Sequence, residues 1–466
     1  MTREQGTRWL EILSLSTLAG FLVLLPNWRH RVLLHRAGDP IFFEFHDFTL
    51  YTNDLLLIGA LGSWLAHRVI ATNLGKLRLG PWFLTVPLAG LVALSIVGTP
   101  LAIDPPYAAY QVLRLLLLLA FYLLLINARL RRAVVASSLA AGMVLQGLVA
   151  IPQFLLGRSL GLDRLGEVSM DAAWPGASVV MVGEERWLRA YGLTQHPNLL
   201  AGCLMGMLLV VGGYYLMQRG WKRLPALVAL AVGFGTLLLT FSRAAWLGTL
   251  LGGGMALVIL LWAWQSRDWL PNWRALGALA AIALVIAVLF VSTNWQLLRP
   301  RLGLIDQGTE IRSVEARRQQ VPAAWALIRT HPLLGVGLGN YPTALYHLVR
   351  EKVAAYPIYQ PVYNVVLLVT AELGILGGVL WLGVLSLPWL SLWRRRWQTH
   401  ITPWWAGLSG ALLALTVVSL LDYYVWTSHQ GRLVLWLVLG LWAREWVVAE
   451  GQVTDRRYGE LERMAA

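Results

Sequence analysis

The sequence has one cysteine, Cys203, so an internal disulfide and a cysteine-built metal cluster are both excluded. It is also poor in charge. Only 13% of its 466 residues are Asp, Glu, Lys or Arg, against about 25% in soluble domains. Apolar residues take their place: 57% are hydrophobic, and the mean hydropathy is +0.60. That balance excludes an ordinary soluble domain and points to a polytopic protein of the lipid bilayer. The 38 basic residues outnumber the 24 acidic ones, yet no stretch is a nucleic-acid motif. In a membrane protein such a surplus marks cytoplasmic loops, so no nucleic-acid partner is expected. The 24 tryptophans suit membrane–water boundaries. No small-x-small cleavage site follows the apolar run 10–25, which passes into PNWRHRVL and reads as a retained first span.

A span needs about 20 mostly apolar residues. That rule predicts twelve helices, at 10–26, 48–67, 81–101, 110–127, 133–156, 198–217, 224–241, 244–264, 274–293, 363–391, 403–421 and 431–448. The run 224–264 has almost no polar break and is too long for one span, so a hairpin turning at TFSR is expected. The short loops HRVIATNLGKLRLG, NARLRR, QRGWKR and LWRRRWQTH are strongly basic and fall on one side, whereas AIDPPYAA lies on the other. The positive-inside rule then predicts that both termini are cytoplasmic.

The expected organisation is helices 1–5 over 1–156, an external loop at 157–197 and helices 6–9 over 198–293. A large external loop at 294–362, helices 10–12 over 363–448 and a cytoplasmic tail at 449–466 follow. A loop as long as the second is usually functional. Within it, SVEARRQQVPAAWALIRTHP has helical spacing and is expected to lie over the external mouth. The fold class is therefore all-α and polytopic, with a large external loop carrying a helix. No internal repeat or matched pair of broken helices is visible, which weighs against many transporter architectures.

Five places could carry chemistry. Arg243, in TFSRAAWLG, sits at the external end of a helical hairpin. It is either an anchor reaching the interface or an anion clamp, since a guanidinium fork matches phosphate oxygens. Arg189, in RWLRAYGLTQHPNLLAG, falls on the same face just before His196-Pro197-Asn198, which opens a helix. The loop helix offers Arg312, Arg317 and Arg318 and leads into HPLLGVGLGNYP. Its alternating Gly335, Gly337 and Gly339 read as a tight re-entry turn, because no strand-to-helix context makes them a nucleotide fingerprint. Asn364 begins the tenth helix, and Glu372 lies about 12 Å further along it. An ionisable group at that depth is a functional candidate, with a hydrogen-bonded packing role as the alternative. Finally, LLDYYVWTSHQGR holds Asp422, His429 and Arg432 in a short external turn.

The blocks RAYGLTQHPNLLAG, TFSRAAW, HPLLGVGLGNY and PVYNVVLLVTAELGILGG, in this order, resemble the O-antigen ligase and polysaccharide polymerase family of bacterial membrane proteins. The resemblance covers about 190–380. It implies a GT-C-like, metal-independent, inverting glycosyltransferase of the bacterial inner membrane, working on its external face without a cofactor. The implied donor is a glycan on undecaprenyl diphosphate, and the acceptor is a hydroxyl of a glycan, lipid or protein. Arg189, Arg243 and Arg317 or Arg318 would hold the diphosphate. The family pattern has His-Asn where this chain has Tyr363-Asn364. A tyrosine, with a reference pKa of about 10 against ~6.5 for histidine, is a poor general base near neutrality. His331, His347 or Glu372 could serve instead, or Tyr363 could only position the acceptor. A transporter or flippase, or a catalytically silent binder of lipid-linked oligosaccharide, is the competing expectation.

Overall fold

The structure is a computed structural model describing residues 3–36, 41–71, 77–265, 272–304, 320–349, 359–395 and 401–465. Arg312, Arg317 and Arg318 lie outside the described residues. Each of the twelve expected segments holds a long helix, although the second, 48–67, opens with a strand at Phe48–Tyr51 before its helix starts at Thr52. The first nine are α1 (Arg3–Val23), α2 (Thr52–Ile70), α3 (Trp82–Gly98), α4 (Pro105–Asn127), α5 (Arg132–Leu156), α6 (Pro197–Met217), α7 (Leu224–Leu239), α8 (Arg243–Gln265) and α9 (Trp273–Arg301). After the short α10 (320–330) and α11 (Tyr341–Val349) come α12 (Val365–Arg395), α13 (Pro403–Leu421), the single turn α14 (Tyr424–Thr427) and α15 (His429–Ala465).

Among the described residues, nine helices are long and apolar enough to cross a membrane: α3 to α9, α12 and α13. The other three long helices break their apolar runs with charge, for example Glu11 in α1, Asp54 in α2 and Glu445 in α15. Two small additions were not expected from the sequence. β1 (His30–Leu34) pairs antiparallel with β2 (Phe48–Tyr51), and β3 (Val179–Val182) with β4 (Glu185–Leu188). α9 runs eight residues past the expected boundary at 293, bending at Asn294. The expected tail continues α15 as helix.

The helices alternate in direction, so the connections gather at two ends. At one end Asn127 of α4 accepts the Arg78 N–H (2.8 Å), and Arg132 of α5 pairs with Glu445 of α15 (2.6 Å). This end holds the short basic loops 127–132 and 218–223. At the other, Trp28 N–H reaches the Leu193 carbonyl, Ala190 N–H the Leu239 carbonyl, and Asp104 N–H the Asn340 side chain (2.7 Å). The long connections and both hairpins meet there. The segment 157–196 is organised by the buried Glu167, whose carboxylate accepts from the Leu160 N–H, the Leu162 N–H and Gln153 Nε2 at 2.5–2.7 Å.

α12 is broken at Gly374 (φ +74°). The carbonyls of Ala371 and Glu372, which a continuous helix would pair internally, accept the N–H groups of Val336 and Gly337 instead. Gly335, Gly337 and Gly339 all have positive φ, and the alternating glycines form a tight turn. A Cβ at Gly335 would lie 2.3 Å from the Glu372 backbone carbon, so only glycine permits this approach. The Glu372 carboxylate is buried and accepts from Trp426 Nε1 (2.8 Å).

Candidate functional site

The expected hairpin turns at Thr240, Phe241 and Ser242, and α8 starts at Arg243. Phe241 is the one non-glycine among the described residues with positive φ (+50°). Such a conformation costs about 1–3 kcal/mol. Its ring is fully buried against Phe154, Trp246 and Phe290, with centroids 5.4–6.1 Å away, and that burial offsets the strain. The turn aims the Thr240 carbonyl at Arg189, whose Nε donates to it at 2.6 Å.

Arg189 follows β4 and is buried. Besides Thr240, its guanidinium donates to Ser178 Oγ (2.7 Å) and to Asn198 Oδ1 (2.6 Å). These three neutral acceptors, set at different angles, fix the plane of the fork, which a lysine could not reproduce. Asn198 in turn donates from Nδ2 to Asp422 Oδ2 at 3.1 Å. Asn198 is not the helix cap. His196 is, because its Nδ1 accepts the Asn198 N–H at 3.1 Å, leaving the neutral ring's proton on Nε2.

Arg189, Ser178, His196, Asn198 and Asp422 line one cavity of about 410 Å³ between the β3–β4 hairpin, the starts of α6 and α8, the ends of α9 and α13, and Tyr363, two residues ahead of α12. Arg189 and Arg243 both face it, with Arg186, Arg301, His196, Asn198, Tyr363 and Asp422. Four arginines and one carboxylate thus share the lining. Arg243 Nη1 donates to the Arg301 carbonyl at the end of α9 (3.1 Å). Helix starts carry partial positive charge, so α6 and α8 add to an environment favourable to anions.

Tyr363 forms part of the wall. Its hydroxyl donates to Gln360 Oε1 (3.2 Å), and its ring meets Tyr423 edge-on at 4.9 Å. Burial, then the neighbouring Tyr363 and Asp422, push the Tyr423 hydroxyl well above the usual tyrosine range. Asn364 caps α12: its Oδ1 accepts the Leu367 N–H (3.0 Å) and its Nδ2 donates to the Leu420 carbonyl (3.3 Å). It does not line the cavity, and neither do His331, His347 or Glu372. His331 is exposed and bonded to Thr330 Oγ1 (2.9 Å), and His347 lies on α11 beside Tyr346.

The sequence exposed Arg301, Asn198 and Asp422 as residues but gave no reason to join them to Arg189. Their meeting depends on chain segments up to 224 residues apart. Arg186, on the strand before Arg189, carried no signal at all.

A second cavity, of about 280 Å³, is almost wholly apolar and lies among α6, α7, α8, α9 and α13. It begins near Thr249, roughly 9 Å below Arg243 along α8. Residues 226–382, from α7 into α12, match the family model described as O-antigen ligase. The match takes in Arg243, Tyr363 and Asn364 and leaves Arg189 outside. No curated protein matches the chain.

Proposed function

We propose that this protein is a metal-independent membrane glycosyltransferase of the O-antigen ligase type. It moves a glycan from undecaprenyl diphosphate to a hydroxyl of a glycan, lipid or protein. The observation that carries this reading is the convergence of Arg189 and Arg243 on one cavity with Tyr363 in its wall. In this reading the end bearing the long connections faces outward from the bacterial inner membrane, the basic loops and both termini are cytoplasmic, and all twelve long helices cross the bilayer.

The chemistry follows from the leaving group. As the bond from anomeric carbon to diphosphate oxygen breaks, negative charge grows on the diphosphate. Guanidinium forks fixed in advance hold that charge without reorganising. The acceptor oxygen enters from the opposite side and inverts the anomeric carbon. The polyprenyl chain follows α8 into the apolar cavity. Tyr363 positions the acceptor and does not ionise to activate it.

Tyr363 also favours a second reading, in which the chain binds lipid-linked glycan without transferring it. Purified protein with undecaprenyl-diphosphate oligosaccharide and an acceptor separates the two. Release of undecaprenyl diphosphate that falls by roughly 100-fold or more in Arg243→Ala is expected, the usual loss when one preorganised donor is removed. Arg243-dependent binding with no release by the wild-type protein, across glycan, lipid and peptide acceptors, would replace the enzyme by the binder.

A further inference from the structure

A third cavity, of about 230 Å³, lies at the end that carries the loop 127–132, between α1, α2 and the segment that follows α4. Glu11, Ser14 and Leu15 of α1 line it, as do Trp64, His67 and Arg68 of α2. Each trio repeats the i, i+3, i+4 spacing that puts three residues on one helix face. Ser14 Oγ donates to the Ala60 carbonyl of α2 (3.0 Å) and closes the inner end. Asn127 and Arg129 complete the wall. Asn127 is fixed in place, since its Oδ1 accepts from the Arg78 N–H and its Nδ2 donates to the Arg78 carbonyl, both at 2.8 Å.

The charged groups are arranged differently from those of the arginine cavity. The Arg68 guanidinium lies over the Trp64 ring, 5.5 Å from its centroid, and that contact holds a long side chain in one place. Arg129 Nη1 stands 3.8 Å from Glu11 Oε1, too far for a hydrogen bond. The Arg129 side chain is 85% exposed, so it can turn toward a ligand. Charges of both signs therefore face one small space. A plain anion would be repelled by the carboxylate, whereas a group carrying a phosphate and an ammonium uses all three charges. The surroundings are apolar: Ile12 and Leu13 on α1 and Leu65 and Val69 on α2 are exposed. Ile12 lies three residues before Leu15 and Leu65 three before Arg68, so both adjoin the lining. A soluble phosphate would have no use for them, but acyl chains would cover them.

We propose that this cavity binds a phospholipid with a phosphoethanolamine headgroup. Arg68 and Arg129 hold the phosphate, the Glu11 carboxylate accepts from the ammonium, and the acyl chains run along α1 and α2. Basic pockets between membrane helices are suited to lipid headgroups, and Glu11 makes this one selective. The bound lipid braces α1 and α2 against the connection between α4 and α5. In the orientation proposed above it belongs to the cytoplasmic leaflet, and that placement alone rests on the functional reading.

The test uses the full-length protein, stripped of lipid in detergent. It is titrated with phosphatidylethanolamine, phosphatidylglycerol or phosphatidylcholine of the same acyl chains, and bound lipid is counted by native mass spectrometry. Phosphatidylethanolamine should bind roughly tenfold tighter than the other two, the worth of one charge-assisted hydrogen bond. Choline has no N–H to donate, and glycerol carries no charge. Glu11→Gln should remove that preference while leaving phosphatidylglycerol bound as well as before or better. Arg129→Gln should weaken all three lipids. Melting temperatures without lipid should stay close to wild type in both variants, because an exposed ion pair contributes little. Equal affinity for the three lipids would overturn the proposal, as would a preference that survives Glu11→Gln. Water-soluble phosphoethanolamine should compete poorly; competition as strong as the lipid's own binding would overturn the lipid and assign the cavity to a soluble phosphate ester. None of these measurements uses a glycan donor, so the lipid site and glycan transfer fail separately.

Discussion

Asn198 joins two charged groups through one amide, accepting from Arg189 at 2.6 Å and donating to Asp422 at 3.1 Å. Asn198→Ala removes both contacts and leaves the α6 cap, His196, in place. A hydrogen bond to a charged group is worth about 1.5–3 kcal/mol. On the Arg189 side, that energy holds one arm of a fork whose other arms are fixed by Thr240 and Ser178. If it appears fully in the transition state, kcat/KM falls roughly 10- to 150-fold, at about 1.36 kcal/mol per decade. The loss should fall mainly on kcat, because the diphosphate charge that Arg189 meets grows during the reaction. Release of undecaprenyl diphosphate measures this, with thermal unfolding in the same detergent as the control for the fold. Asn198→Asp is the informative companion. It restores an acceptor for Arg189 but sets a carboxylate against Asp422. Its activity should be poor at high pH and improve as the pair takes up a proton on acidification. If Asn198→Ala keeps kcat/KM within about twofold and melts like wild type, Asn198 does not orient Arg189.

Two further substitutions examine the frame around the site. Gly337→Ala would bring a Cβ to 2.3 Å from Ala102 Cβ at φ +100°. It should destabilise by about 3 kcal/mol or more; an unchanged denaturation midpoint would show that this turn is not packed as described. Glu372→Gln keeps an acceptor for the Trp426 indole and should transfer glycan near the wild-type rate, whereas Glu372→Leu strands that N–H at a cost of about 1–3 kcal/mol. A folded Glu372→Gln variant without transfer activity would show that the Glu372 carboxylate does more than hold the Trp426 indole.

Helix positions were legible in the sequence because a bilayer demands long apolar runs, and the hairpin at TFSR was legible because 224–264 exceeds one span. Loop architecture was not. The strand pair 179–188 turns on Gly183 and Glu184 within VVMVGEERWL, a stretch too short to stand out beside forty-residue connections. The break at Gly374 hides within AELGILGG, since a lone glycine is common in membrane helices. Only the arrival of Val336 and Gly337 makes the break necessary. The pairing of Arg189 with Arg243 across one cavity could be anticipated from topology, which put both on the same face. The meeting of Glu44 with Gln195 and Tyr107 could not, because the partners come from the segment before α6 and from α4, and no local pattern announces it.

The glycine turn also sets a timetable for synthesis. The N–H groups of Ile103 and Asp104, at the α3–α4 connection, are satisfied by the Val336 carbonyl and the Asn340 side chain, the latter 236 residues downstream. At about 5–20 residues per second, the ribosome needs roughly 10 to 50 seconds to deliver those partners. The early helices must therefore wait in the bilayer with that connection open to water. Tyr363 and Asp422 emerge later still, so the arginines are made well before the chamber they face is closed. A chain arrested before α12 would hold its cations without a wall opposite them.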